Sequence, residues 1–289
     1  MTTFVPPTEP ASHQGGRWWR AAVGRALVLL ILPVSSWGLS ISSPTLSDPH
    51  QLSEGNVEIS TDLASLTAFP EQLSYDVSWG IMAVGQSTLG VREVVRFNGV
   101  PAYHVVSEAK SNAFCDTFYK VRDLNESWMD ARTITSLGYS KKLREGHFFR
   151  DEWVLYDKPA SRFLSKKTDR DGTFTWSAGT IPVQVQDILS SLYYVRSHQL
   201  EPGTEVVVDV NTKRTWPLVI RVLRRETVKT AAGTFHCLVV EPALREEGIF
   251  IQKGRKLQIW LTDDARKVPV LMRVEVFFGH VTASLAKML

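Results

Sequence analysis

Apolar and polar residues alternate along most of the chain after residue 70, which is the pattern of β-strands with one buried face. The first such segment places Leu73, Tyr75, Val77 and Trp79 at every second position. Similar segments recur as far as Phe278, and Gly, Asn, Asp and Pro residues that favour turns separate them. The pattern predicts about a dozen strands.

One segment departs from this period of two. Ile188, Leu189 and Leu192 lie at helical spacing, and Asp187 is suited to cap the first turn of a helix. The sequence therefore predicts a single amphipathic helix over about residues 187–198.

The order of these elements predicts the fold class. Strands that follow one another without intervening helices pair antiparallel, because parallel neighbours need long crossover connections. A sheet of this size twists and must curl or split. We expect a mainly β fold in which a large curved antiparallel sheet, or half-open barrel, packs the helix in its concave face. Residues 69–289 form this single domain, and the Ser-, Thr- and Pro-rich stretch 41–68 is interpreted as a flexible linker.

Residues 1–40 have the three parts of a secretory signal sequence. Arg17, Arg20 and Arg25 precede the apolar run Ala26–Val34, and small residues follow it. The prediction is export to the periplasm or cell envelope. An uncleaved inner-membrane anchor stays open as an alternative, since the polar lead is long for a signal, and membrane contact is expected only through this segment.

The charge of the chain argues against general binding of nucleic acid. The formal net charge is +3, of which Arg17, Arg20 and Arg25 against Glu9 supply +2. The remaining residues include 30 basic and 29 acidic side chains (33 minus 3, and 30 minus 1). Proteins that bind nucleic acid non-specifically carry a clustered basic excess.

The two cysteines, Cys115 and Cys237, leave two interpretations open. In an oxidising compartment they form one disulfide that closes a long loop. Alternatively each is a separate buried thiol, because cysteine packs well as a small apolar residue. Neither cysteine has the neighbouring ligands of a metal site, so no metal or other cofactor is expected.

The sequence contains neither the Gly-x-Ser-x-Gly motif of serine hydrolases nor the His-Glu-x-x-His motif of zinc proteases. His236 and Cys237 are strand neighbours that point to opposite faces. Asp263 and Asp264 form either a carboxylate pair or, as we favour, a turn in which the side chains accept backbone N–H groups. We expect no enzyme.

Four blocks of sequence together resemble a bacterial family of unknown function, DUF3108. They are Leu73–Ile81 with Gly85, Val185–Arg196 followed by Gly203, Gly233-Thr234-Phe235, and Ile259–Val270, and they span roughly residues 71–285 in the family's order. The resemblance implies an envelope protein with a mainly β fold, and it implies no established activity. The residues that carry it are interpreted as structural: Tyr75, Gly85, Asp187, Arg196, Gly203, Gly233, Asp263, Asp264 and Pro269.

Two functions from different classes are expected for such a scaffold. The first, which we favour from the sequence, is a non-catalytic binding module that holds a lipid or acyl chain in the hollow of the sheet. The second is a structural or assembly factor that contacts another envelope protein through an outer face or a sheet edge. An empty apolar hollow favours the first, and a hollow filled by side chains favours the second. Under the first hypothesis the pocket residues are Tyr193, Tyr194, Leu192, Trp79 and Trp260, which otherwise pack in the core.

Overall fold

The computed structural model describes residues 57–59, 71–212, 214–243, 256–276 and 278–288, which contain fifteen strands and two helices. The predicted signal sequence and most of the predicted linker lie outside these ranges. The strands are β1 (Val57–Ile59), β2 (Gln72–Trp79), β3 (Met82–Phe97), β4 (Val100–Ser111), β5 (Arg122–Asp130), β6 (Ser136–Glu145), β7 (Phe148–Asp157), β8 (Arg162–Thr168), β9 (Phe174–Thr180), β10 (Glu205–Asn211), β11 (Thr215–Thr230), β12 (Gly233–Ala243), β13 (Leu257–Thr262), β14 (Pro269–Glu275) and β15 (His280–Met288). The helices are α1 (Ala113–Asp116) and α2 (Ile188–Arg196).

The strands belong to one sheet, and every strand pairing among the described residues is antiparallel. The order runs from β10 through β15, continues with β2 beside β15, and ends at β9, while β1 pairs with the free part of β3. The sheet is curved and is not closed into a barrel. Its two edges, β9 and β10, are consecutive in the chain. The predicted fold class is confirmed.

Helix α2 lies in the connection between these two edge strands and packs against β4, β5 and β10 on the concave side. The predicted helix is confirmed, with Asp187 as its N-cap and Ser197 as its C-cap. Leu189 and Tyr193 join the main core cluster, and Val195 joins a second cluster formed largely by β10–β13. The helix therefore joins two parts of the inner surface.

The structure contains four elements that the sequence pattern did not predict. Strand β9 lacks apolar alternation because both of its faces are largely exposed. The last alternating segment, which the sequence pattern extends to Phe278, corresponds to β14 and ends at Glu275. Gly279, with φ of 79°, lies in the turn that leads into the unpredicted strand β15. Strand β1 falls inside the stretch assigned to a linker. Helix α1 is a single turn, too short to show a helical period.

Within the described ranges, no helix is both long enough and apolar enough to cross a bilayer.

Candidate interaction surface

One buried carboxylate holds the N-terminal end of α2. Oδ1 of Asp187 accepts hydrogen bonds from the backbone N–H groups of Leu189 (2.7 Å) and Ser190 (2.9 Å). Its Oδ2 accepts from the hydroxyls of Ser127 (2.6 Å) and Ser136 (2.5 Å). Burial raises the pKa of Asp187, and the donors around it act in the opposite direction. This side chain ties α2 to β5 and to β6.

A buried ion pair holds the other end of α2. Nη1 and Nη2 of Arg196 contact the two carboxylate oxygens of Glu71 at 2.5 and 2.8 Å. Arg196 also donates to the carbonyl of Arg266, at 3.0 Å from Nη2 and 3.3 Å from Nε. Asp264 shapes the turn that presents this carbonyl, because its Oδ1 accepts from the N–H groups of Arg266 and Lys267, both at 3.0 Å. Asp264 thus lies in a turn, as favoured from the sequence.

Other residues of the family motif either contact backbone atoms or occupy positions where the backbone conformation favours glycine. The hydroxyl of Tyr75 donates to the carbonyl of Pro269 at 2.7 Å. A Cβ atom at Gly85 would collide with a carbonyl oxygen of β4, so the close approach of these strands requires glycine. Gly203 and Gly233 have φ values of 89° and 142°, which favour glycine. These contacts support the structural interpretation of the motif.

Of the five predicted pocket residues, four belong to the main core cluster or pack against it, and Tyr194 packs against the second cluster. Tyr193 is fully buried in the main core cluster, and Leu192 packs against both clusters. Tyr194 is half-buried, with its ring centroid 4.5 Å from that of His198. Trp79 lies at the rim of the sheet, where its indole N–H donates to a backbone carbonyl of the β14–β15 turn at 2.6 Å. Each of these side chains already has packing partners within the protein.

Trp260 lies on the opposite face of the sheet from Tyr75. In register, Trp260 pairs with Leu271, Leu271 with Ser284, and Ser284 with Asp76. Residues paired directly across antiparallel strands lie on the same face. Asp76 is exposed on the outer face, whereas Tyr75, its neighbour in β2, is buried on the inner face. The buried side chain of Trp260 nevertheless belongs to the same core cluster as Tyr75 and Tyr193, and a register shift follows it in β13.

The inner face of β5–β7, here called the polar wall, carries buried polar and charged side chains. The row Asn125–Lys141–Glu152 is paired across these strands. Nζ of Lys141 lies 3.0 Å from Oε2 of Glu152, with side-chain exposures of 4% and 10%. The hydroxyl of Tyr139 donates to Oδ1 of Asn125 at 2.7 Å. Burial raises the pKa of Asp123, in the next row, to about 7.

A groove of about 370 Å³ runs over the outer face of the same strands. Its lining includes two indoles and three acidic and three basic residues: Glu126, Trp128, Lys141, Lys142, Asp151, Glu152, Trp153 and Lys166. Lys141 and Glu152 are also the ion pair of the polar wall, so the outer face contributes the other four charged side chains. A hydrogen bond from His104, whose Nε2 is 3.1 Å from Oε1, lowers the pKa of Glu126. The groove thus offers both apolar contact and charges of either sign.

Stacked aromatic rings form the floor next to this groove. The ring centroid of Trp128 lies 5.1 Å from that of His104, 5.3 Å from that of Phe97 and 4.8 Å from that of Trp153. Gly138 makes room for this packing, since a Cβ atom there would lie 2.6 Å from the ring of Phe97. The indole N–H of Trp128 is buried and has no hydrogen-bond partner within the part of the chain that the structure describes.

Among the strands that the structure describes, β9 is paired on one side alone, and this edge adjoins the groove. Its sequence, from Phe174 to Thr180, contains no charged residue and no proline, and it pairs with β8 without a bulge. Phe174 is 51% exposed. Nζ of Lys166, which lines the groove, lies 5.2 Å from the ring centroid of Phe174 and 5.8 Å from that of Trp176. The groove and the edge therefore form one continuous surface.

Strand β10, the other edge, is covered. The N–H of Gln186 donates to the carbonyl of Asp209 at 2.8 Å, and its carbonyl accepts from the N–H of Asn211 at 2.8 Å. These bonds come from the segment that leads into α2. No comparable bond is made to the outer side of β9 by any residue in the described ranges.

The remaining candidate residues lie apart from this surface. Cys115 and Cys237 are both buried free thiols, and burial raises the pKa of Cys237 to about 11. His236 is exposed, with Nδ1 2.9 Å from the hydroxyl of Thr227, on the face opposite Cys237. Asp263 accepts a hydrogen bond from Nε of Arg225 at 2.8 Å.

The described residues include no cluster of three or more His, Cys, Asp or Glu side chains suited to a metal ion. The groove was missed from the sequence because its residues come from five strands, β1 and β5–β8, that become neighbours only through register. The signal available in the sequence was that the outer-face residues of the groove occupy every second position of β5–β7, between the residues of the inner face.

The geometry defines a class of protein in which one curved antiparallel sheet holds a helix in its hollow. The family model described as "Protein of unknown function (DUF3108)" matches residues 74–286, and the chain belongs to this family. No curated protein matches the chain.

Two solved structures are similar. One is the crystal structure of a β-barrel-like protein of domain of unknown function DUF1849 from Brucella abortus, at 9% identity and a TM-score of 0.51, covering 81% of this chain and 98% of that one. The other is that of a "putative lipoprotein" from Parabacteroides distasonis, at 9% identity and a TM-score of 0.27, covering 76% and 95%. The similarity to the DUF1849 structure indicates a similar fold and carries no information about function.

Proposed function

We propose that this chain is a non-catalytic cell-envelope protein that acts by contact, holding another envelope component against the outer face of β5–β8. The observation that carries the proposal is the groove on this face, in which two indoles lie beside four charged side chains. Aromatic residues with a polar surround are typical of protein interaction sites. The envelope location rests on the export signal expected from residues 1–40.

The hollow of the sheet supports this choice over an apolar ligand. Large side chains such as Tyr75, Tyr103 and Tyr193 are fully buried there together with α2. The polar wall adds the buried pair Lys141–Glu152. Sites for lipid or acyl chains are lined mostly by apolar side chains, and a charged pair in the wall would be costly to leave beside an alkyl chain.

The chemistry of the groove supports a binding role. Its acidic groups are already engaged, Glu126 with His104 and Asp151 with Arg144 at 2.6 Å. Groups held in this way are suited to recognition of a partner with both apolar and charged parts. Lys142 makes no ion pair with any described residue and is available to a carboxylate of the partner.

The test combines cross-linking in cells with a groove-filling substitution. A photoreactive amino acid at position 142 is used to capture and identify the neighbour, which is then purified. We expect Ser140→Trp, which fills the groove, to weaken its binding at least about tenfold, or about 1.4 kcal/mol. Gln86→Trp, an exposed position on the outer face of β3, is the matched control and should bind like the wild type.

Two results would contradict the proposal. One is a captured partner that binds the wild type, Ser140→Trp and Gln86→Trp with equal affinity. The other is a stoichiometric lipid in native mass spectra of the wild type that Ser140→Trp retains, because it would return the function to the hollow.

A further inference from the structure

The two edges of the sheet differ in how they are protected. Edge strands expose unpaired N–H and C=O groups, and proteins usually shield them with charged residues, proline, bulges or a covering segment. β10 contains Glu205 and Asp209 and is covered by Gln186. β9 contains none of these devices over its seven residues. An edge of this kind is a template for another strand.

We propose that β9 pairs antiparallel with β9 of a second copy of this chain, about a two-fold axis at Ser177. This goes beyond the proposed function, which concerns the groove. The pairing joins two sheets into one through hydrogen bonds between the two edge strands, and it is isologous, as in most homodimers.

The sequence of β9 is complementary to itself in this register. Antiparallel pairing centred on Ser177 places Trp176 opposite Ala178 of the second copy and Phe174 opposite Thr180. Each large ring therefore faces a small side chain, and Thr175 faces Gly179. All seven residues of the strand are paired in this register.

Charge complementarity also favours a second copy. No residue of β9 is charged, so no like charges meet across the axis. Within one copy, Lys166 of β8 is paired with Trp176 of β9. Across the interface, Trp176 lies opposite Ala178 of the second copy, which is in turn paired with Leu164 of that copy. The one basic side chain next to the aromatic pair thus meets no cation two strands away.

The axis is perpendicular to the sheet, so the outer faces of both copies point the same way. The two grooves then form a single bivalent surface, since each adjoins β9 through Lys166. A partner that presents two binding segments would gain affinity from simultaneous contact.

Because the axis passes through Ser177, residue 177 of one copy lies opposite residue 177 of the other. A charge introduced at this position therefore meets a like charge in the dimer. The full-length wild type is expected to sediment as a dimer at micromolar concentration. Ser177→Lys and Ser177→Glu each place like charges opposite one another and should halve the mass, with a dissociation constant at least about tenfold higher. An equimolar mixture of the two variants should restore the dimer through opposite charges.

The matched control is Val207→Lys on the other edge strand, where Val207 is 58% exposed, and it should remain dimeric. Circular dichroism and melting temperature check that the Ser177 variants stay folded, as expected for exposed edge positions. A monomeric wild type overturns the proposal, as does a folded Ser177→Lys that stays dimeric. Cross-linking from position 142 reports on the groove separately, so failure of the dimer leaves the proposed function standing.

Discussion

The two sides of the hollow hold α2 by different kinds of contact. On the β10–β13 side, apolar residues such as Val208, Ile220 and Leu238 pack against the helix. On the β5–β6 side, Asp187 receives directed hydrogen bonds from two buried serines. Apolar burial is strong and non-directional, whereas a buried polar group is costly unless its geometry is satisfied. The comparison teaches that the apolar side supplies stability and that the polar contacts specify the position of the helix.

Removal of one partner of the buried ion pair should have the largest effect. Arg196→Ala leaves the Glu71 carboxylate buried without its cation, and we expect the free energy of unfolding to fall by about 3–5 kcal/mol. Urea denaturation at pH 7 measures it. The double variant Arg196→Met with Glu71→Leu should recover much of the loss. A single variant within about 1 kcal/mol of the wild type would show that the pair does not hold the helix.

A cavity on the apolar side should cost somewhat less. Leu238 is 1% exposed, and Leu238→Ala is expected to lower the free energy of unfolding by about 2–4 kcal/mol. Leu223→Ala, at a position 36% exposed in β11, is the matched control and should change it by less than about 1 kcal/mol. Equal losses in both variants would argue against the apolar cluster as the main support.

Loss of the helix cap should cost about 2–3 kcal/mol. Asp187→Ala removes the acceptor for two N–H groups of α2 and leaves the hydroxyls of Ser127 and Ser136 without it. Asp187→Asn keeps one acceptor oxygen and should lose about half as much. Thermal unfolding followed by circular dichroism compares the two. Equal stability of Asp187→Ala and the wild type would contradict the role of this side chain.

Of these substitutions, Asp123→Asn is expected to change the free energy of unfolding least at mildly acidic pH. The pKa of Asp123 is raised to about 7 in the folded state from 3.8, so the folded state binds this proton more tightly. Its stabilising contribution is complete below pH 3.8 and is lost as the pH rises towards 7, by at most about 1.4 kcal/mol per pH unit.

Asp123→Asn mimics the neutral carboxyl, so its stability should match that of the wild type near pH 4 and exceed it increasingly towards pH 8. Urea denaturation across this range measures the difference between the two proteins. A constant difference over the range would show that Asp123 does not titrate in this way.

Much of the fold was predictable because its signals are local. Alternation in β2 and the helical spacing around Leu189 each lie within a few residues, and the cap at Asp187 is a local hydrogen bond. The candidate surface was not predictable, because Trp128 and Lys166 become neighbours only when β5–β8 pair in register. Strand β9 escaped notice because an exposed edge has no buried face to impose alternation.

The sequence by itself determined the secondary structure that periodicity encodes: a mainly β chain, one capped amphipathic helix and the turns between them. Tertiary structure decided which face each strand buries, how Arg196 meets Glu71, and why Gln186 covers β10 whereas no described residue bonds to the outer side of β9. The physical reason is that side-chain direction follows from neighbouring residues, whereas register and edge protection depend on residues far apart in the chain.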